Sequence, residues 1–129
     1  MSKYIKVATN LVDRECLKRA LADLGLAFEE SCLAHGWHTA QHADVVVRRA
    51  QLPGYCLGDL GFVWDAEASR FKLIIDEMDQ ARPAMQKLLG QIAQRHAYHR
   101  VLDMARQRGL AVAQVQQQGE LLQVVLRGV

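Results

Sequence analysis

Leu60-Gly61-Phe62-Val63-Trp64-Asp65-Ala66-Glu67-Ala68-Ser69-Arg70-Phe71-Lys72-Leu73-Ile74-Ile75-Asp76 decides the fold class. Two runs rich in aromatic and β-branched residues, Leu60 to Trp64 and Arg70 to Asp76, read as strands. The segment between them, Asp65 to Ser69, is short and polar and suits a hairpin, so the strands run antiparallel. Upstream, Asp44-Val45-Val46-Val47-Arg48-Arg49 is a further strand. Its consecutive valines place it centrally, covered on both faces. Pro53-Gly54 marks the turn between.

Outward from this centre the pattern alternates between periods. Tyr4 to Thr9 alternates as a strand, with Tyr4, Lys6 and Ala8 on one side and Ile5, Val7 and Thr9 on the other. Asp13 reads as the N-cap of a helix whose stripe is Leu17, Leu21 and Leu24, closed by Gly25. Ala27 to Leu33 returns as a strand, and the polar, His-rich Ala34 to His42 reads as a connection. Pro83 opens a long helix, along which Met85, Leu88, Leu89, Ile92, His96, His99 and Leu102 recur at helical spacing to about Arg108. Gly109 stops it, and Ala111 to Gln117 with Leu121 to Arg127 form a last hairpin around Gln118-Gly119. Ala20 to Phe28 echoes Met104 to Val112; we read this as repeated use of one helix-to-strand joint. The order predicts an α+β two-layer sandwich: a mostly antiparallel sheet of about six to seven strands with two helices on one face. The other face then has to be polar or covered by a partner.

Size and composition exclude several classes. The 129 residues are one domain's worth, 1–129. Half are hydrophobic and 23% charged, the balance of a folded globular chain and not of a disordered one. No apolar run approaches the roughly 20 residues a membrane span needs. Sixteen Lys+Arg against fourteen Asp+Glu leave +2, too weak to call for nucleic acid or anionic lipid. Arg48, Arg49, Arg95, Arg100, Arg106 and Arg108 read as a solvated helix face and strand end. Cys16, Cys32 and Cys56 form no CxxC and no even set, and the N-terminus lacks a signal-peptide core. The expected place is the reducing cytoplasm.

Few side chains gather into chemistry. Cys32, His35, His38 and His42 have a spacing that could wrap zinc, but Gly36 interrupts it, and the expectation is no metal and no cofactor. His96 and His99 on the long helix could pair as metal ligands or as base and orienter; the bland alternative is that Tyr98 and His99 tie polar tips to the sheet. Asp59 and Asp65 flank a strand, where paired carboxylates can do acid–base work, though solvated turn residues are the commoner case, and Asp76, Glu77 and Asp79 precede the long helix, where negative charge suits its N-terminus. Cys56 follows Pro53-Gly54-Tyr55 in a turn that could leave it exposed, with nothing local to lower its pKa. No GxSxG and no phosphate cradle is present. Tyr98, His99, His96 and Asp59 remain as ligand or partner candidates, with no catalytic residue assigned.

Taken in order, Cys16-Leu17-Lys18-Arg19-Ala20-Leu21 with Leu24-Gly25, Gly36-Trp37, Ala43-Asp44-Val45-Val46-Val47-Arg48, Asp59-Leu60-Gly61-Phe62-Val63, Ala97-Tyr98-His99 and Leu126-Arg127-Gly128 form a pattern covering nearly the whole chain. It resembles the hypothetical chloroplast reading frame thirty-five family of algal plastids, cyanobacteria and other bacteria. The resemblance implies a compact α+β protein with no established reaction, and an accessory role beside an AAA-type ATPase. Tyr98 and His99 fall on its pattern, whereas His35, His38 and His42 do not. The reading that follows is a non-enzymatic adaptor or binding module, whose partner is a protein, a second copy or the ATPase. The alternative is a metal-binding protein or small metal-dependent enzyme using the His clusters.

Overall fold

The computed structural model describes residues 3–119 and 121–128. In chain order the elements are β1 (Tyr4–Ala8), α1 (Arg14–Asp23), β2 (Glu29–Gly36), β3 (Thr39–Val47), a 3₁₀ turn (Arg49–Gln51), β4 (Leu60–Asp65), β5 (Arg70–Asp76), α2 (Glu77–Gln80), α3 (Pro83–Gln107), β6 (Leu110–Gln118) and β7 (Leu121–Gly128). The protein is α+β and its strands pair antiparallel throughout. The strands divide, however, into a five-stranded sheet ordered β1-β5-β4-β3-β2 and a separate pair, β6-β7.

The helix joints form as their residues dictate. Asp13 accepts the amide of Cys16 at the start of α1. At its end the Leu26 amide reaches the Leu21 carbonyl and the Gly25 amide that of Ala22, closing a Schellman motif around Gly25 at φ +71°. Gly109, at φ +66°, ends α3 in the same left-handed region.

One face of the large sheet carries the main core. Val45, Val47, Phe62, Phe71, Leu73 and Ile75 point into it and meet Leu17 and Leu21 of α1 and Met85, Leu88 and Ile92 of α3. Hydrophobic burial at roughly 25 cal/mol per Å² makes this cluster the main source of stability. Val46, between two core valines, faces the other way and is equally buried.

That second face is covered by the chain itself. The segment read as a polar connection, residues 34–42, is the distal part of a β2–β3 hairpin with Trp37 and His38 at its turn. The strand was hidden because its inward residues, Cys32, Ala34 and Ala43, are small, while Leu33, His35 and His42 face out. Ser31, at φ +51°, breaks the regularity of β2, and beyond it the hairpin lies over the second face. Ala34 and Ala43 pack with Val46 and Val63 and against Gly61 of β4, where a Cβ would sit 3.3 Å from each alanine Cβ. At the far end Gly36 meets the ring of Tyr4, so the hairpin of one sheet edge touches the strand of the other.

The β6–β7 pair forms a third layer. Ile92 and His96 point α3 at the core, which turns Gly90, Ala97, Val101 and Ala105 the opposite way at 3.6 residues per turn. The hairpin folds back along this outer side, with Gln117 and Gly119 at its tip beside Gly90. Sequence alone could not separate this arm from the sheet, because its strands alternate like the others.

Candidate functional site

Asp59 sits in the loop before β4 and is only 5% exposed. Its Oδ2 accepts from the His35 amide and from Arg48 Nη1, each at 2.9 Å, and its Oδ1 accepts from the Arg49 amide at 2.9 Å. Its own amide donates to the His35 carbonyl (2.8 Å), and its carbonyl accepts from the Tyr4 hydroxyl (2.7 Å). Burial pushes the carboxyl up, but the two amides and the guanidinium outweigh it and hold Asp59 below the usual carboxylate range. Asp59 is therefore a buried anchor and not the solvated turn residue its flank position suggests.

Arg48, with its side chain 32% exposed, is likewise held by the fold. Its Nε donates to Glu29 Oε2 (2.6 Å) and its Nη1 also reaches the Leu33 carbonyl (2.7 Å). Asp79, fully buried, takes the Leu57 amide (2.9 Å) and the Gly58 amide (3.1 Å) on Oδ2. Asp76 caps α2 through Oδ1, and its buried Oδ2 has no hydrogen-bond partner among the described residues. The acidic run thus serves a separate short helix and the 57–59 loop, rather than the start of α3. Burial, followed by the nearby Asp59 carboxylate, pushes the Tyr4 phenol up. A cleft of about 520 Å³ opens beside this network, lined by His35, Gly36, Arg48, Arg49, Ala50, Leu57 and Asp59. The carboxylate of Asp59 and the guanidinium of Arg48 in its wall are bound to each other and to the backbone, and His35 is an exposed titratable side chain beside them.

The α3 candidates are elsewhere, and the two histidines among them engage α1 and the residues just before it rather than the sheet. His96, 3% exposed, accepts the amides of Val12 (3.3 Å) and Asp13 (3.2 Å) on Nε2. Burial, with Arg100 nearby, pushes its imidazole down, so it stands neutral as an acceptor. His99 Nε2 lies 2.6 Å from Asp23 Oδ2, which Arg95 also binds at 2.8 Å. Arg95 in turn lies 4.5 Å over the Tyr98 ring. These residues bolt the two helices together, and the Nε2 atoms of the two histidines are engaged with different partners.

The other histidines do not converge. By the β2–β3 register Cys32 faces inward opposite Ala43, whereas His35 and His42 lie on the outer side and His38 in the turn. Among the described residues, the His, Cys, Asp and Glu side chains that do converge in a trio are Asp13, Cys16 and Asp103. Cys16 Sγ donates to Asp103 at 3.4 Å, and Arg19 and Arg106 hold the same carboxylate. Burial and that hydrogen bond push the Cys16 thiol up to about 12, which leaves it a neutral donor rather than a nucleophile. Cys56 is buried, not exposed, and burial pushes its thiol up as well.

The arm is the remaining feature. Leu122, Val124 and Leu126 of β7 are half-buried toward α3, whereas Leu121 is 74% exposed and Val112, Val115 and Val125 are also open. Between the arm tip and α3 lies a groove of about 890 Å³ bordered by Gln86, Gly90, Gln91 and Gln117. No strand pairs with the outer edge of β6 or of β7 among the described residues.

Fold and site together define a small α+β protein with a self-covered sheet and an open-edged terminal arm. Its residues 20–124 match the family described as protein of unknown function (DUF1257), and the chain belongs to that family. It is 26% identical over 132 residues to the uncharacterized protein ycf35 of Pyropia yezoensis, covering 98% of each chain. It is 30% identical over 112 residues to the uncharacterized protein ycf35 of Guillardia theta, covering 84% of this chain and 82% of that one. The resemblance drawn from the ordered sequence marks therefore holds. No solved structure matches the chain. Among the described residues no helix is long and apolar enough to cross a membrane.

Proposed function

We propose that the chain is a single-domain, non-enzymatic binding module of the cytoplasm that engages a protein partner through the β6–β7 arm. The observation that carries this reading is the arm itself: two strands of nine and eight residues with both outer edges open and apolar side chains exposed. A lone two-stranded hairpin is marginal in water, and an unpaired edge is a template for another strand. The buried titratable groups support the non-enzymatic part, because their hydrogen bonds are mostly spent on the fold. Arg48, Arg95 and Arg106 are paired with carboxylates, which weakens any nucleic-acid footprint. The AAA-type ATPase implied by the family resemblance and a second copy of the chain both satisfy this reading.

The test is site-specific photo-crosslinking in the native host, with a photoreactive residue at Leu121 on β7 of the arm and at Glu67 in the β4–β5 loop. A protein adduct from Leu121 and none from Glu67 is expected. No protein adduct from the arm, or a nucleic-acid adduct alone, would overturn the reading.

A further inference from the structure

We propose that the occupant of the arm is a second copy of the chain, joined β7 to β7 in an antiparallel, two-fold pair. This rests on the reading of the arm as the binding element and names its partner.

The two edges of the arm are not alike. β6 carries a bulge, where Val112 opposes Leu126 but Gln114 opposes Val125, leaving Ala113 unpaired. A bulge twists an edge and blunts it against further pairing. β7, Leu121–Gly128, is regular across eight residues. It has no proline and no lysine, and its one charge is Arg127 near the end. The devices that protect an exposed edge are thus present on β6 and missing from β7.

The β7 sequence is also complementary to itself. A two-fold axis through Val124 brings Val124 opposite its own copy, and Leu122 opposite the second copy's Leu126. That register overlaps residues 121–127 and keeps paired side chains on one face, as antiparallel pairing requires. The half-buried row Leu122, Val124 and Leu126 then continues into the same row of the second copy. With the cross-strand neighbours Val112 and Val115 it makes one apolar face across four strands. On the opposite face Arg127 falls against Leu121, so the two arginines stay apart at the ends. A slip of one residue would set apolar residues against the outward row. A closed two-fold pair also uses up the open edge without propagating further.

The test is light scattering coupled to size exclusion on the full chain. A particle of twice the 14.5 kDa chain mass is expected. Val124→Lys places two like charges face to face on the axis and should yield a monomer with unchanged circular dichroism. Gln116→Lys, on β6, should remain a dimer. If Val124→Lys misfolds, a second measurement decides: Val124→Cys in a Cys32→Ser background should cross-link to a dimer through a short bis-maleimide, whereas Val115→Cys should not. A monomeric wild type whose arm still cross-links to a different protein overturns the second-copy proposal and leaves the binding-module reading standing. A monomer with no arm adduct overturns both. A dimer indifferent to Val124→Lys, or one that cross-links from Val115→Cys alone, places the interface off β7 and overturns the proposal.

Discussion

The ring of Tyr4 lies against the Cα of Gly36, so that a methyl group at position 36 would stand 2.7 Å from the ring. The two residues belong to opposite edges of a five-stranded sheet. Gly36→Ala therefore has to displace either the ring or the β2–β3 hairpin, and overpacking of this kind costs about 1–3 kcal/mol. Urea denaturation should show that loss. Tyr4→Leu should lose the hydroxyl bond to Asp59 but tolerate Gly36→Ala better, and a double-mutant cycle should return a coupling between the two. Strict additivity would mean that the hairpin end is not seated on Tyr4.

Asp59 gives the fold a dependence on acid. Its carboxyl is held low in the folded state, so its contribution is present above the unfolded pKa near 3.9 and is lost as pH falls through the folded value. Asp59→Asn removes the carboxylate that Arg48 and the His35 and Arg49 amides bind, while Glu29 keeps its own pair with Arg48, and should cost about 1–3 kcal/mol at neutral pH. The gap between wild type and variant, followed by denaturant melts, should narrow below about pH 4. A gap that is constant with pH would remove the ion pair from the explanation.

His96 acts in a different window. Its folded pKa is lowered, so the native state binds fewer protons than the unfolded chain below about pH 6.5. Stability should be full above that value and decline as pH falls toward the folded pKa. His96→Gln should flatten the slope of wild-type stability between pH 8 and pH 5. An unchanged slope would assign the titration to another group.

Thiol reagents should separate the three cysteines. Cys16 and Cys56 are buried with raised pKa values, whereas Cys32 is half-buried. In native buffer Cys32 should label first and Cys16 last, and denaturant should equalise them. Fast native labelling of Cys16 would contradict its seat between α1 and Asp103.

The paired joints make a fifth structural test. Gly25→Ala and Gly109→Ala each force a Cβ into the left-handed region and should cost about 1 kcal/mol, measured by thermal melts. A Cβ at either glycine meets nothing within 4 Å, so the whole cost is conformational. No measurable loss at either position would end this account of the joint.

These joints are legible in the sequence, because a Gly after an amphipathic helical stretch has one common meaning. So are β4, β5, the central valines and the extent of α3, which announce themselves by period and by β-branched content. The distal β2–β3 hairpin is not legible. Its inward residues are Ala34, Gly36 and Ala43, and small residues that permit close approach look the same as residues that pack against nothing. Asp59 illustrates the same limit at the site: a carboxylate beside a strand reads as solvated until its three donors, from residues 35, 48 and 49, are brought to it. The helix period puts His99 on the inward half of α3, but it lies on Asp23 of α1 and not on the sheet, since a period does not say which neighbour lies under it.

The strand order β1-β5-β4-β3-β2 has a further consequence, for the time course of folding. From β2 to β5 each strand pairs with the one made just before it, so this part can assemble as the chain leaves the ribosome. β1 cannot: Tyr4 pairs with Asp76, and until β5 is synthesised the first strand has no neighbour. Long-range pairings of this kind are slow, and an unpaired strand is exposed to aggregation in the interval. The docking of β1 is therefore expected to set the folding rate, and Tyr4, the residue made earliest in that strand, closes both edges of the sheet at once when it arrives.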